Sequence, residues 1–200
     1  MNNIKNVILI TSYITLVTAT TSSNVYADDV TDSINEGLQY YKDGKHTDAA
    51  ASLNYASQLI QQKKGGSIKS LLPAPLKGWK AQDARSETAG AAFGAGISVE
   101  REYNKGSSSV TIQIVADSPM LQGLMMMFSN PMFAQSDGGK LQKISGQKAI
   151  IKYDTAYKNG EIQVIVANRF LVTIRGDDVS EENIIDYAKA LDYKKIAELP

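Results

Sequence analysis

The sequence predicts an α+β chain, an N-terminal αα-hairpin followed by an antiparallel sheet covered by helices. Three observations predict it. Apolar residues recur at helical spacing through residues 32–64. They alternate with polar residues over several short stretches after Trp79, and an amphipathic stretch closes the chain. Successive hairpins with few helices between them favour an antiparallel sheet whose apolar face needs helices to cover it.

Residues 1–27 read as a secretory signal peptide. Lys5 supplies the positive start, and Val7 to Val17 form an apolar stretch broken by Thr and Ser. Val25 and Ala27 then suit a signal peptidase, so Asp28 would begin the mature chain. Spanning a bilayer takes about 20 apolar residues, and this stretch is shorter. No stable membrane anchor is therefore expected after cleavage. No Cys follows the apolar run, which closes the lipoprotein route. The expected location is the periplasm or exterior of a Gram-negative bacterium.

The chain carries 21 basic and 21 acidic side chains, and the leader takes only Lys5 from this balance. A nearly neutral chain gives no electrostatic reason to bind nucleic acid or anionic lipid. Cysteine is absent, so a protein in an oxidising compartment must rely on packing alone. Its absence also excludes thiol nucleophiles, Cys-based zinc sites and c-type haem. The single histidine, His46, leaves almost no room for histidine triads or histidine metal sites. No cofactor is expected.

The hairpin occupies residues 28–66. Ser33 and Glu36 stand at capping-box spacing, with Ile34, Leu38 and Tyr41 as the apolar stripe of the first helix. Asp43-Gly44-Lys45 breaks it. Ala49, Ala50, Leu53, Ala56, Leu59 and Ile60 follow on a second helical period, which the sequence ends at Lys63-Lys64-Gly65-Gly66. Gly37, Tyr40, Gly44, Ala49 and Ala56 stand where a tetratricopeptide repeat places its small and aromatic contacts, and the pair resembles one such repeat. An ordinary αα-hairpin explains it equally. A lone repeat cannot bury its own faces, so the resemblance implies docking on the rest of the chain or on a partner.

Residues 67–78 form a connector held extended by Pro73 and Pro75. The antiparallel α+β domain spans 79–200. Trp79 to Ser86 is the expected first strand and Thr88 to Gly96 a glycine–alanine loop. Ile97–Tyr103 and Ser109–Ala116 pair through Asn104-Lys105-Gly106. Ser118-Pro119 opens a helix that runs to about Phe128. Leu141–Asp154 reads as strand with a turn at Ser145-Gly146. Asn159-Gly160 reads as a two-residue turn, and Asn168-Arg169 as the next. Asp178 or Ser180 caps a final helix striped by Ile184, Ile185, Ala188 and Leu191.

This order is similar in outline to the α/β/α sandwich of PsbP-like proteins, a likeness of topology that carries no function. Four segments, Leu71-Leu72-Pro73-Ala74-Pro75-Leu76-Lys77-Gly78-Trp79, Asp117-Ser118-Pro119-Met120-Leu121-Gln122-Gly123, Ser129-Asn130-Pro131-Met132-Phe133 and Ala167-Asn168-Arg169-Phe170-Leu171-Val172, also resemble a family of uncharacterised secreted proteobacterial proteins. That resemblance implies a shared fold and export, and it supplies no site residues.

The most unusual local composition is the methionine cluster: Met120, Met125, Met126, Met127 and Met132 interleave with Leu121, Leu124, Phe128 and Phe133. Methionine fills irregular cores and also adapts to binding surfaces. Thioethers further select Cu(I), although three consecutive methionines on a helix point about 100° apart and cannot share one ion. A partner or ligand surface would use Met120, Leu124, Met125, Met126, Met127, Phe128, Met132 and Phe133, with Phe93 from the glycine loop.

Weaker signals have plainer readings. The glycine loop lacks the G-x-G-x-x-G spacing and the following helix of a nucleotide site. Ser145-Gly146-Gln147-Lys148 matches S-x-x-K but falls in a turn, without its companion motifs. His46 reads as an exposed inter-helix residue, and Asp177-Asp178 and Glu181-Glu182 as helix-start charges. Trp79 reads as a core anchor. The leading expectation is a non-catalytic binding protein of the envelope, engaging a protein or apolar ligand. A periplasmic copper or apolar-ligand carrier, and an enzyme using carboxylates or Ser/Lys, are the alternatives.

Overall fold

The computed structural model describes residues 28–88, 96–119, 121–129 and 138–200. Helices α1 (Asp29–Lys42) and α2 (His46–Lys69) form the N-terminal pair. Asp28 caps α1, its side chain accepting from the Thr31 amide at 3.0 Å. The expected capping box at Ser33 and Glu36 therefore lies inside the helix. Ser33 Oγ donates back to the Asp29 carbonyl, and Glu36 accepts from Ser52 Oγ of α2 at 3.0 Å.

The expected helix end at Gly65-Gly66 is also corrected, because α2 runs on to Lys69. A Cβ at Gly65 would stand 2.2 Å from Ser86 Oγ, so this glycine permits close approach to the sheet rather than ending the helix.

Eight strands follow: β1 (Lys80–Ala81), β2 (Arg85–Thr88), β3 (Ile97–Lys105), β4 (Ser108–Ala116), β5 (Lys140–Ile144), β6 (Gln147–Asp154), β7 (Asn159–Val166) and β8 (Phe170–Asp177). Helix α3 (Leu121–Ser129) separates β4 from β5, and α4 (Glu181–Lys189) and α5 (Tyr193–Ala197) end the chain. The sheet is antiparallel in the order β1-β3-β4-β8-β7-β6-β5, with β2 also paired to β3. The expected first strand is thus two short ones laid along β3.

Turn chemistry holds at Ser145-Gly146, where both residues have positive φ, as a type I′ hairpin requires. It fails at Asn159-Gly160. These residues pair with Asp154 and Tyr153 inside the ladder, and the loop is 155–158. Asp154 Oδ1 accepts from the Ala156 and Tyr157 amides and nucleates that loop. Gly160 serves packing instead, since a Cβ there would lie 2.6 Å from the Lys152 carbonyl. The last hairpin turns on Ala167 and Asn168, both at positive φ.

Strand alternation divides the sheet into two faces. One carries Val99, Tyr103, Ile112, Ile114, Ile162, Val164, Val172 and Ile174, packed with Ile184, Tyr187 and Ala188 of α4, Ile196 of α5 and Ile68 of α2. Ser180 caps α4, accepting from the Asn183 amide. Trp79 meets Tyr187 edge-on with centroids 5.3 Å apart, and Tyr103 lies 4.6 Å from the same ring. Tyr103 donates its hydroxyl to the Pro73 carbonyl at 2.8 Å, which pins the connector to the sheet. Trp79 is the core anchor its position suggested. Helix α3 packs on the opposite face, so the cover is not confined to one side.

Candidate functional site

Alternation brings Val115, Leu171, Ile165, Ile150 and Leu141 to the second face at the end where β4 finishes. Leu121 packs there with Val115 and Leu171, with Leu124 beside them. Phe128, 7% exposed, sits on Ile150. Of the surface residues expected from sequence, Leu124 and Met125 are half-buried and Phe128 belongs to the core. Phe93, Met120, Met132 and Phe133 lie outside the described residues, as do the side chains of Met126 and Met127.

A charged joint stands at the foot of α3. Asp117 adopts φ 54°, a left-handed conformation that Asp tolerates. Its carboxylate accepts from Lys64 of α2 and, at 3.4 Å, from Arg169 Nε of the β7–β8 turn. Arg169 also donates to the Leu199 and Pro200 carbonyls at 3.0 and 2.8 Å. Burial pushes the Asp117 carboxyl up, but the Lys64 and Arg169 bonds and charges outweigh it and hold the group below the usual carboxylate range. Helix pair, sheet, turn and C-terminal segment are tied at one point. The sequence offered no signal for this joint, because its members are distant along the chain.

Beyond α3 the second face is polar. Register places Glu102, Thr111, Arg175, Glu161 and Lys152 in one row across five strands. Arg175 Nε donates to Glu161 at 2.6 Å. A shallow depression of about 410 Å³ is lined by Lys152, Asp154, Asn159, Glu161, Arg175 and Asp177. Arg175 and Glu161 pair here as oppositely charged cross-strand neighbours do.

The helix pair is unlike both faces. Val30, Ser33 and Gly37 of α1 and Ala49 and Ala56 of α2 are the buried residues between the two helices, with Gly37 against Leu53 and the Ala49 carbonyl. A Cβ on Gly37 would stand 2.9 Å from Leu53 Cγ, so small residues set the helix spacing. The apolar stripe of α1, Ile34, Leu38 and Tyr41, faces outward with exposures of 42%, 48% and 63%. Leu53 and Ile60 of α2, at 47% and 48%, extend it. Seven residues apart, they share one line of the helix. Together these five form a continuous apolar side, larger than the scattered apolar residues of an ordinary surface. The sequence shows this stripe as a helical period of apolar residues but does not show which side of the pair it takes.

The remaining candidates stay apart. His46 is exposed, its ring 5.6 Å from Tyr41. Ser145 sits in its turn and Lys148 on β6. Asp178 accepts from Ser107 rather than capping α4. Among the described residues no group of three or more His, Cys, Asp or Glu could hold a metal ion, and no helix is long and apolar enough to cross a membrane. Protein-family models, curated proteins and solved structures contain no match to this chain.

Proposed function

We propose that this is an exported, non-catalytic binding protein of the cell envelope, and that it docks through the apolar side of the α1–α2 pair. One observation carries the reading: Ile34, Leu38, Tyr41, Leu53 and Ile60 stand 42–63% exposed on one side of a hairpin whose internal contact is already complete. Leaving such a patch in water costs solubility, and burying it yields roughly 25 cal/mol per Å² of apolar area. The secretory leader supports the envelope location, and the resemblance to a single tetratricopeptide repeat supports a packing surface.

The test is a photo-crosslinking amino acid placed at Tyr41 in the exported full chain, with Tyr157 as control. Tyr157 is 77% exposed but stands alone on the β6–β7 loop. Adducts at position 41 in intact cells, lost on Leu53→Lys, are the expected result. Equal adducts at both positions, or none at 41, would remove the hairpin from the function.

A further inference from the structure

We infer that the occupant of this apolar side is a second copy of the same chain, two hairpins closing face to face into a four-helix bundle. The inference rests on the hairpin being the docking surface. Taking roughly 200 Å² for a fully exposed large apolar side chain, the five residues leave about 500 Å² per copy, or about 1,000 Å² for two. Specific interfaces begin near that size, before any polar rim is counted.

The pattern of charge suits self-pairing. Asp29, Asp32 and Glu36 are turned at least about 140° around α1 from Ile34, and Glu36 is engaged by Ser52 and Tyr40. The acidic residues of α1 therefore stand away from the side on which two copies would meet.

The register of the hairpin also matches itself. The contacts of Asp28 with Lys63, Glu36 with Ser52 and Gly37 with Leu53 place Leu38 level with Leu53. A two-fold axis parallel to the helices preserves level, so Leu38 of one copy meets Leu53 of the second copy at the 8–10 Å helix spacing usual for such bundles. α2 reaches the sheet through Lys64, Gly65 and Ile68, which begin about 16 Å further along the helix than Leu53.

The absence of cysteine makes the test clean. Mature protein carrying Leu38→Cys is mixed with protein carrying Leu53→Cys and oxidised, with Tyr157→Cys as the control partner. Sedimentation of the unmodified protein is measured in parallel at tens of micromolar. The expected result is twice the monomer mass and a preferential 38–53 covalent dimer. Leu38→Asp and Tyr41→Asp, each checked for folding by circular dichroism, should weaken association by at least about tenfold, as central apolar contacts do. A monomer at all concentrations, or a dimer indifferent to both substitutions, overturns the inference. If the position-41 crosslinker then captures a different protein in cells, the docking surface stands and only self-pairing falls; with no adduct, both fall.

Discussion

Helices α4 and α1 carry apolar stripes of the same kind and meet opposite fates. Ile184, Tyr187 and Ala188 of α4 are all but fully buried against the sheet. Ile34, Leu38 and Tyr41 of α1 face outward, and α1 meets its neighbour through Val30, Ser33 and Gly37 instead. The difference lies in what each helix can reach. α4 follows β8 directly and lands on a broad sheet face. α1 has only α2 beside it, approached through Gly37, Ala49 and Ala56. A contact between small residues brings two helices close and leaves large neighbours to flank it. An amphipathic stripe therefore states that a helix has a side to cover, without stating which chain supplies the cover.

The largest expected effect sharpens that contrast. Tyr187→Ala removes a ring that touches Trp79 and Tyr103, and Ile174→Ala opens a cavity at the sheet centre. Each should cost roughly 2–5 kcal/mol in urea denaturation. Leu38→Ala at low protein concentration should change stability by no more than about 0.5 kcal/mol, as exposed sites do. A Leu38→Ala cost equal to that of Ile174→Ala would mean that the stripe is covered within the monomer, and the contrast between α1 and α4 would collapse.

A second comparison sets two glycines against each other. At Gly160 an added Cβ meets the Lys152 carbonyl, backbone that cannot turn aside. Gly160→Ala should therefore cost about 1–3 kcal/mol, the usual range for forced overpacking. At Gly65 the obstacle is the Ser86 hydroxyl, the end of a side chain that can rotate. Gly65→Ala should cost less, and Ser86→Ala should restore it in the double variant. Thermal melts of the four proteins would show this, and a Gly65→Ala loss that Ser86→Ala fails to recover would place the strain in the helix itself.

The elements of the sheet were legible because strand alternation and turn residues are local signals. Ser145-Gly146 behaves as its chemistry requires, and the Ser180 cap and α4 stripe lie where the pattern puts them. Errors arose where one residue type serves two purposes. Gly65-Gly66 resembles a helix end, and Asn159-Gly160 a turn, yet Gly65 and Gly160 answer to backbone or side chains that lie far away or across a strand. The hairpin's apolar stripe was visible as a stripe, but its orientation depended on Gly37 setting the helix spacing. The joint of Lys64, Asp117 and Arg169 was invisible for a related reason. Charge pairing over more than 50 residues of separation leaves no periodic trace.

That joint yields a small predicted loss, and it tests how firmly the two regions are coupled. Asp117 is held below the usual carboxylate range, so its contribution is complete above the unfolded-state value of about 4 and is lost as pH falls through the folded value. Asn at 117 tolerates the same positive φ and keeps the shape while removing the charge. Asp117→Asn should therefore lower stability at neutral pH by roughly 0.2–1 kcal/mol, the scale of a partly exposed ion pair. It should also flatten the decline below about pH 4, where the native protein loses this contribution. Acidification still weakens the variant, because Asp28, drawn down to about 2 by Lys63 and Thr31, also titrates below the usual carboxylate range. Raising salt should shrink the difference between the two proteins, since exposed pairs are screened. Parallel acid slopes for the two proteins would show that Lys64 and Arg169 do not bind the Asp117 charge, and that apolar contact at Ile68 and Gly65 alone holds the hairpin to the sheet.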